Sequence, residues 1–577
     1  MRVLTVNTDI VVVELDDLAQ AIALHHSLMQ TPIPGVHEVV PASRTVMIRF
    51  HPSVIRATHL AELIGQRDVS APLASDGELV RVPVHYTGED LGEVARLTGL
   101  SPDEVVARHT GAIYTVAFTG FAPGFVYLVG GDPCLNVPRR AVPRIAIPSG
   151  AVGLAGIYSG IYPRTSPGGW QIIGQTDVPM FDLANDPPVL LRPGMRVQFT
   201  AAEQASLAGI GPSVESHQAQ TSDQAKDAPD MPAQLPADRA AATATAARTL
   251  VIEEPGLAAT VQDLGRPGHA DLGISRSGAL DHDSLRCASR LVGNHSDAAC
   301  IETYGGLRVR AMGEQVLAIA GAEVDATIDA SRIDAGDADT DRSRPAPHGH
   351  AFALGDGEVL DIGFPKQGAV AYLGIRGGLD IEPVLGSLSS DILSDLGPRP
   401  LRAGDELPVR AWTSGVVAVS EDDAGSSICG SDAHRPHGLF GQDEGVSLDV
   451  VLGPRDEMFT EAAVTALLEQ EWEVTPQSNR VGLRLHGDQP LERTDDSELE
   501  SEPMASGALE VPPGGQPVVF MADHPLTGGY PVIGSVASWD LNRAGQVPIG
   551  ARIRFRLAQS DEQAGNGALG APDEENG

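Results

Sequence analysis

A chain of 577 residues is too long for one hydrophobic core, and at roughly 100 to 200 residues per domain it divides into about three to five units. Its formal net charge of −37, with no basic run anywhere, excludes a nucleic-acid-binding surface, and no stretch of about 18 uncharged apolar residues is present to cross a membrane. The cysteines (Cys134, Cys287, Cys300, Cys429) form no CxxC pair, so neither a zinc ribbon nor a disulfide framework is indicated, and a soluble cytoplasmic protein is expected.

Residues 1–77 read as strand, helix, hairpin, helix, a small α/β sandwich. Apolar alternation over 10–15 (IVVVEL) reads as a strand, helical spacing follows over 16–29, two alternating runs flank a polar turn at 41–44, and helical spacing returns at 57–66. Residues 78–200 open with a strand and two short helices, the second at Ser101 with Glu104 three residues on, the spacing of a capping box. Short strands and Gly/Pro turns then follow, as in a β-barrel. Residues 201–248, rich in Ala, Gln, Asp and Pro, bury too little to offset the entropy of ordering and are expected to be a disordered linker. Residues 249–558 return to short strands with frequent glycines. Within them a helix is expected through Leu291 with Asp281 as its N-cap, and another from Arg455 (RDEMFTEAAVTALLEQ). The stretch 329–350 looks inserted, and 559–577 reads as a disordered tail.

Two distant segments repeat each other. SPGGWQIIGQT (166–176) and LTGGYPVIGSV (526–536) each give a Gly-Gly turn, a ring (Trp170 or Tyr530) and an apolar strand interrupted by Gly174 or Gly534, which predicts a duplicated unit. Around the first copy, His109, Pro123, Gly124, Arg144, Gly168, Gly169 and Trp170 are candidate substrate-binding residues. Glycines let backbone N–H groups approach an oxyanion or carboxylate, arginines offer bidentate forks, and rings make walls. The same residues also suit barrel turns and a core of rings, and composition alone favours that use. In the second half, Gln262, Asp263 and Arg266 share one turn. Arg480, Arg484, Asp523, Thr527, Gly528, Gly529 and Tyr530 accompany the second copy, where arginines in half-buried strands need carboxylates or a bound anion. Neither of the two lysines, Lys226 and Lys366, follows a glycine, so there is no GxxxxGK[ST] loop for ATP; there is no GxSxG elbow, and neither lysine lies between methionines like a biotin-carrier lysine. No catalytic base and no metal site is assigned.

The segments GFAPGFVYL, RRAVPRIAIPSG and SPGGWQIIGQT resemble the allophanate hydrolase subunit 1 family, also known as the kinase-inhibitor-type family or the family of 5-oxoprolinase B-type subunits. TVQDLGRPG, SGALD, LVGN, SNRVGLRL and TGGYPVIG resemble the allophanate hydrolase subunit 2 family, alias the biotin-dependent carboxyltransferase-domain family or the family of 5-oxoprolinase C-type subunits. Together the two resemblances span residues 1–199 and 249–557. They imply a mainly β fold with α+β parts, built from cyclophilin-like β-barrel modules, two barrel halves of them in the second family, plus the small N-terminal α/β domain. The activity implied is that of fused B and C subunits of an ATP-dependent 5-oxoprolinase, which turns 5-oxoproline into glutamate with a separate A-type subunit, the lactam-utilisation protein. ATP enters by that resemblance. The rival activities it carries are a carboxyltransferase component of a biotin-dependent urea or amide carboxylase, with biotin on a separate carrier, and a non-enzymatic histidine-kinase inhibitor. Partners expected are the A-type subunit and a small amide or lactam, with neither nucleic acid nor membrane; self-association as a homo-oligomer is left open. One departure stands out: many members read DxQTTGGY, and here Pro525 and Leu526 replace the Gln and the first Thr, removing polar atoms from a pocket edge.

Overall fold

The structure, a computed structural model, describes residues 1–70, 77–140, 142–202, 248–330, 343–411, 415, 445–495 and 499–558. Nearly all of the expected linker, the expected tail and the centre of the 329–350 stretch lie outside the described residues. The N-terminal module is an antiparallel sheet in the order Arg2–Asn7, Ile10–Glu14, Thr45–Phe50, Val36–Pro41, with helices Leu18–Gln30 and Ala57–Gly65. The first of these strands is not in the sequence reading, because as an edge strand it is mostly solvated and carries little apolar pattern. The alternation expected over 10–15 is not what this strand shows: Ile10, Val11, Val12 and Val13 are all buried, for a physical reason. Val11 and Val13 face the helices, while Ile10 and Val12 join Val6, Val40 and Met47 against Ala505 and Leu526 of the C-terminal barrel. A strand buried on both faces needs no alternation.

The next module begins with Leu79–Val84 and the helices Leu91–Thr98 and Pro102–Gly111; Ser101 and Glu104 make the reciprocal capping box. Going round from Gln171–Gln175, its strands run Ala151–Ala155, Tyr158–Ile161, Val126–Val129, Tyr114–Thr119, Arg196–Ala201, Leu79–Val84. Paired His85 and Gln175 backbone bonds (2.8 and 2.9 Å) bring the last strand back to the first, so the sheet is a nearly closed barrel. The C-terminal barrel closes fully and in the same circular order, from Val532–Val536 through Ala508–Glu510, Val518–Phe520, Gly482–His486, Trp472–Val474, Arg552–Leu557 and Val446–Leu452. In each barrel the opening and closing strands run parallel. The repeated segments therefore fill one place in two copies of one barrel. A Cβ on Gly174 would lie 2.6 Å from Val84 Cγ1, and one on Gly534 2.9 Å from the Val451 carbonyl, because each barrel's opening strand passes too close for a side chain.

Between the barrels, a six-stranded and a five-stranded sheet enclose a core that includes Leu250, Val261, Ile301, Leu317 and Leu373. Asp281 caps His282–Leu291, its carboxylate accepting from the N–H groups of Asp283 and Ser284 (3.1 and 3.0 Å). Leu285 and Leu291 of that helix share one continuous core with Leu448, Trp472 and Phe555 of the C-terminal barrel. The helix expected from Arg455 begins only at Glu461 and ends at Glu469: Thr460 caps it, and Arg455 is taken up by buried carboxylates. Cys134 and Cys300 are free, whereas Cys287 is disulfide-bonded, which its spacing in the sequence does not signal.

Candidate functional site

The segment 275–279, Ser-Arg-Ser-Gly-Ala, is a loop held from four sides. The carbonyl of Arg276 accepts from the Arg266 N–H (2.8 Å), and the Ser277 hydroxyl donates to Asp523 (2.6 Å). The Gly278 carbonyl accepts from Arg480 (2.5 Å), and the Ala279 N–H donates to the Asp263 carbonyl (2.9 Å). Ser277 sits at φ 55°, which costs a residue with a Cβ about 1–2 kcal/mol, and such strain persists only where surroundings over-determine it. Four residues singled out in the sequence, Asp263, Arg266, Arg480 and Asp523, are thus the anchors of this loop. Arg480 forks onto both oxygens of Asp523 (3.0 and 2.9 Å) and also binds Glu302, all three side chains being buried. Burial opposes its charge, but the two carboxylates outweigh that and hold its pKa well above the ordinary arginine value.

On its free side the loop borders a cavity of about 200 Å³ at the meeting point of three modules. The N-terminal sheet contributes Glu38 and Arg49, the loop contributes Ser275 and Arg276, and the C-terminal barrel contributes His524 and Leu526. Arg49 is neutralised by Glu38 (3.2 Å) and Asp9 (3.6 Å). Arg276 donates through Nε to the Leu264 carbonyl (3.3 Å) and has no carboxylate within ion-pair distance among the described residues. Burial, then the Arg49 charge, lowers its pKa, yet a guanidinium stays charged. The Ser275 hydroxyl is buried with no hydrogen-bond partner. His524 must donate through Nδ1, because the Pro525 carbonyl beside it (2.9 Å) can only accept. Burial keeps this ring below the ordinary histidine pKa, so it is neutral and Nε2 is a bare acceptor. Among the residues that line the cavity, Arg276 has no carboxylate partner and His524 keeps one ring nitrogen as an acceptor, while the Ser275 hydroxyl is buried within the wall.

The remaining candidates from the second half sit behind the cavity or away from it. Asp263 accepts from the hydroxyls of Ser387 and Ser389 (2.6 Å each) and the Leu388 N–H (2.7 Å), and Gln262 donates to the Ser390 carbonyl (3.0 Å), so this pair fastens the 387–390 loop. Arg266 is buried, donates to the Ser389 carbonyl and leaves Nε and Nη1 without partners. Arg484 is exposed on its strand, and Arg493 lies over the Tyr530 ring at 5.9 Å.

The first-half candidates are not brought to this cavity. His109 is wholly buried: Tyr86 holds its Nδ1 (2.7 Å), Ser159 its Nε2 (3.0 Å), and Phe199 stacks on it at 4.3 Å. Burial pushes its pKa down to about 3, and neither nitrogen is left for a ligand. Trp170 packs edge-on to Phe125 (5.4 Å) and Tyr127 (5.6 Å) within the barrel. Arg144 forks onto Asp90 (2.8 Å twice), and Arg140 joins it (2.6 Å). Arg144 lies opposite Gly168 in a two-stranded ribbon, and in the C-terminal barrel Glu502 lies opposite Gly528 in the matching ribbon. Glu502 is paired with Arg455 (3.1 Å), so the ribbon of each barrel carries an ion pair to its framework with the charges reversed, buried in the second barrel and partly exposed at Arg144 in the first. Gly169 gives its carbonyl to the Arg140 N–H (2.7 Å). The side chain of Arg139 leaves the neighbourhood of Gly169 and ends over Gly529, where a Cβ would lie 2.9 Å from its Nη1. The two copies of the repeat thereby face each other.

Comparison with known proteins bears on both halves. Residues 1–191 match the family model described as carboxyltransferase domain, subdomain C and D, and residues 272–557 the one described as carboxyltransferase domain, subdomain A and B. The B-type subunit of 5-oxoprolinase from Bacillus subtilis (strain 168) is 40% identical over 186 residues, 30% of this chain and 77% of that protein. The C-type subunit of 5-oxoprolinase from Escherichia coli (strain K12) is 34% identical over 317 residues, 54% of this chain and 92% of that protein. The chain belongs to the family of B-type and C-type 5-oxoprolinase subunits. The solved structure of TTHA0988 is 32% identical with a TM-score of 0.72 and covers 95% of this chain and 99% of that one. Urea amidolyase of Lachancea kluyveri is 30% identical over 326 residues, 53% of this chain but 16% of that protein.

In these terms, the seam between the B-type and C-type halves is where the glycine motifs lie. The Gly124 N–H donates to the Leu272 carbonyl (3.0 Å), the Phe121 N–H to Thr527 Oγ1 (3.0 Å), and Thr119 to the Ala270 carbonyl (3.0 Å); Pro123 is buried in the same turn. The family departure also has a visible outcome. Leu526 borders the cavity and packs on the N-terminal sheet, and Pro525 supplies the carbonyl that fixes the tautomer of His524. Sequence reasoning missed Ser275, Arg276 and His524. The available signals were an arginine between two serines just ahead of the SGALD motif and a histidine next to Asp523.

Proposed function

We propose that the chain is the fused B–C component of an ATP-dependent 5-oxoprolinase and opens the lactam of 5-oxoproline to glutamate with a separate A-type subunit. The observation that carries this reading is a cavity lined by both halves, Glu38 and Arg49 from the B-type half and Arg276 and His524 from the C-type half, in a family whose B-type and C-type members are separate named subunits. A cavity completed only by the two halves together accounts for why they occur as partners and are here joined.

A lactam resists hydrolysis because its nitrogen is a poor leaving group and its carbonyl is resonance-stabilised. Phosphoryl transfer from ATP to the lactam oxygen releases ADP and removes that protection; water then adds to the carbon, the C–N bond breaks as the nitrogen takes a proton, and hydrolysis of the resulting acyl phosphate gives glutamate and inorganic phosphate. The contribution of this chain is to bind and orient the anionic substrate and to present fixed donors to developing negative charge. The described residues do not offer a lysine cradle for the phosphates: Lys366 is exposed and paired with Asp325 (2.6 Å). Glutamate and ADP release from 5-oxoproline and ATP, with and without that subunit, tests the proposal; no glutamate in any combination refutes it.

The urea amidolyase likeness favours a second reading, a carboxyltransferase served by biotin on a separate carrier. It requires that a biotinylated protein copurify on avidin with this chain and that glutamate formation be absent.

A further inference from the structure

The two barrels are copies, yet their ribbons are covered unequally. The repeat matches Ser166 and Pro167 with Leu526 and Thr527, and Arg144 and Glu502 lie opposite the matching glycines, so Ile145 and Ile147 correspond to Pro503 and Ala505. In the C-type barrel all four positions are buried. Ala505 and Leu526 lie against Val40 and Met47 of the N-terminal sheet, and Thr527 accepts the Phe121 N–H of the other barrel (3.0 Å). In the B-type barrel Ser166 and Ile147 are buried, but Ile145 is 94% and Val142 74% exposed, with Pro143, Ala146 and Pro167 exposed beside them. Open strand edges in proteins are ordinarily blunted by exposed charge. This ribbon has only two strands, so the outer edge of Arg144–Ile147 is unpaired among the described residues, and its one charged side chain is turned onto Asp90 (2.8 Å). No Asp or Glu occurs from residue 133 to 176, so the segment supplies no carboxylate to guard the face. The face also runs into the seam between the halves: at its root Arg140 donates its N–H to the Gly169 carbonyl (2.7 Å), and Arg139 ends over Gly529.

We propose that the ribbon of the B-type barrel, centred on Val142 and Ile145, is the surface on which the separate A-type subunit docks, covering it as the N-terminal sheet and the Gly120–Phe121 turn cover its counterpart. The partner supplies an apolar surface that takes Ile145 and Val142 out of water and backbone groups that satisfy the open edge. An occupant placed there prolongs the interface that already joins the two halves, because the root of the ribbon is part of that seam. A second copy of this chain suits the face less well: each copy carries a formal charge of −37, and two copies repel. Naming the A-type subunit as the occupant rests on the function proposed above; the bareness of one ribbon and the burial of its counterpart do not.

The test is calorimetric titration of the separately purified A-type subunit into the intact chain, with light scattering of each protein alone and together. Ile145→Asp should weaken association at least about tenfold, the loss expected when a central apolar anchor is removed, and Ile145→Val should keep most of it. Leu257→Asp, at a side chain 74% exposed on the middle module, is the control and should leave the affinity unchanged. Thermal unfolding of Ile145→Asp is expected to match the wild type, since so exposed a side chain contributes little to the fold. Failure of the A-type subunit to bind the wild type, or equal binding to Ile145→Asp, overturns the assignment. So does a wild-type self-association that Ile145→Asp dissolves, which makes a second copy the occupant. Binding lost in Ile145→Asp, with no glutamate formed by the wild-type pair, refutes the proposed reaction and leaves the docking surface standing. Glutamate formation undiminished in Ile145→Asp at limiting A-type subunit does the reverse.

Discussion

Replacing Gly120 by alanine drives a methyl group into the seam between the B-type and C-type halves. The new Cβ would lie 2.5 Å from Oγ1 and 2.6 Å from Cγ2 of Thr527, against an optimal heavy-atom separation of about 3.5–4 Å. Both obstructing atoms belong to the other half, and Gly120 is not among the positive-φ positions, so the barrel that carries the substitution is spared. Overpacking of this kind costs about 1–3 kcal/mol, and displacement of Thr527 also strains its bond to the Phe121 N–H. At about 1.4 kcal/mol per factor of ten, the two halves should associate roughly 5- to 150-fold more weakly. The assay is to sever the chain between residues 203 and 247, purify the pieces and titrate one into the other by calorimetry. Gly92→Ala is the matched control, since nothing lies within 4 Å of a Cβ there. An unchanged dissociation constant for Gly120→Ala, or an equal loss with Gly92→Ala, refutes this account of the seam.

Three further outcomes follow from the same reasoning. Arg455→Met should cost the C-terminal barrel about 3–5 kcal/mol in thermal unfolding by stranding the buried Glu502 carboxylate, and adding Glu502→Leu should recover most of it. His109 is neutral in the fold with its pKa near 3, against about 6.5 unfolded, so the unfolded chain binds the extra proton. Its contribution to stability is intact above pH 6.5 and is lost as pH falls towards 3, at up to about 1.4 kcal/mol per unit, and His109→Gln should flatten that part of the acid-unfolding curve. Gly174→Ala and Gly534→Ala should each raise amide hydrogen exchange in their own barrel only, since each methyl would meet the opening strand of that barrel.

The parts of the fold legible in the sequence were those written in local chemistry. Ser101 and Glu104 specify a capping box whatever surrounds them, and Asp281 specifies a helix start. The repeat was legible because Gly174 and Gly534 each stand where the barrel's opening strand passes too close for a side chain. The site was only half legible. Asp263, Arg480 and Asp523 look functional because buried charges must be paired, and that same pairing commits their hydrogen-bonding capacity to holding a loop. The groups left over at the cavity, on Arg276 and His524, carry no distinctive local pattern. Their significance comes from three modules meeting, and sequence spacing does not encode which partners an arginine lacks. His109 illustrates the converse, a residue of catalytic type consumed by Tyr86 and Ser159.

Two barrels of one circular order on a single chain carry a hazard during synthesis, because the ribbon of one could close onto the framework of the other. The reversed ion pairs would oppose such a closure. Arg144 offered to the C-terminal barrel would meet Arg455, and Glu502 offered to the first barrel would meet Asp90, so each wrong closure buries two like charges where the right one buries a pair. Like charges confined in a low-dielectric site repel strongly enough to stop such a closure before it locks. The two barrels, alike in strand order, thus differ in the sign of the charge that each ribbon brings to its framework.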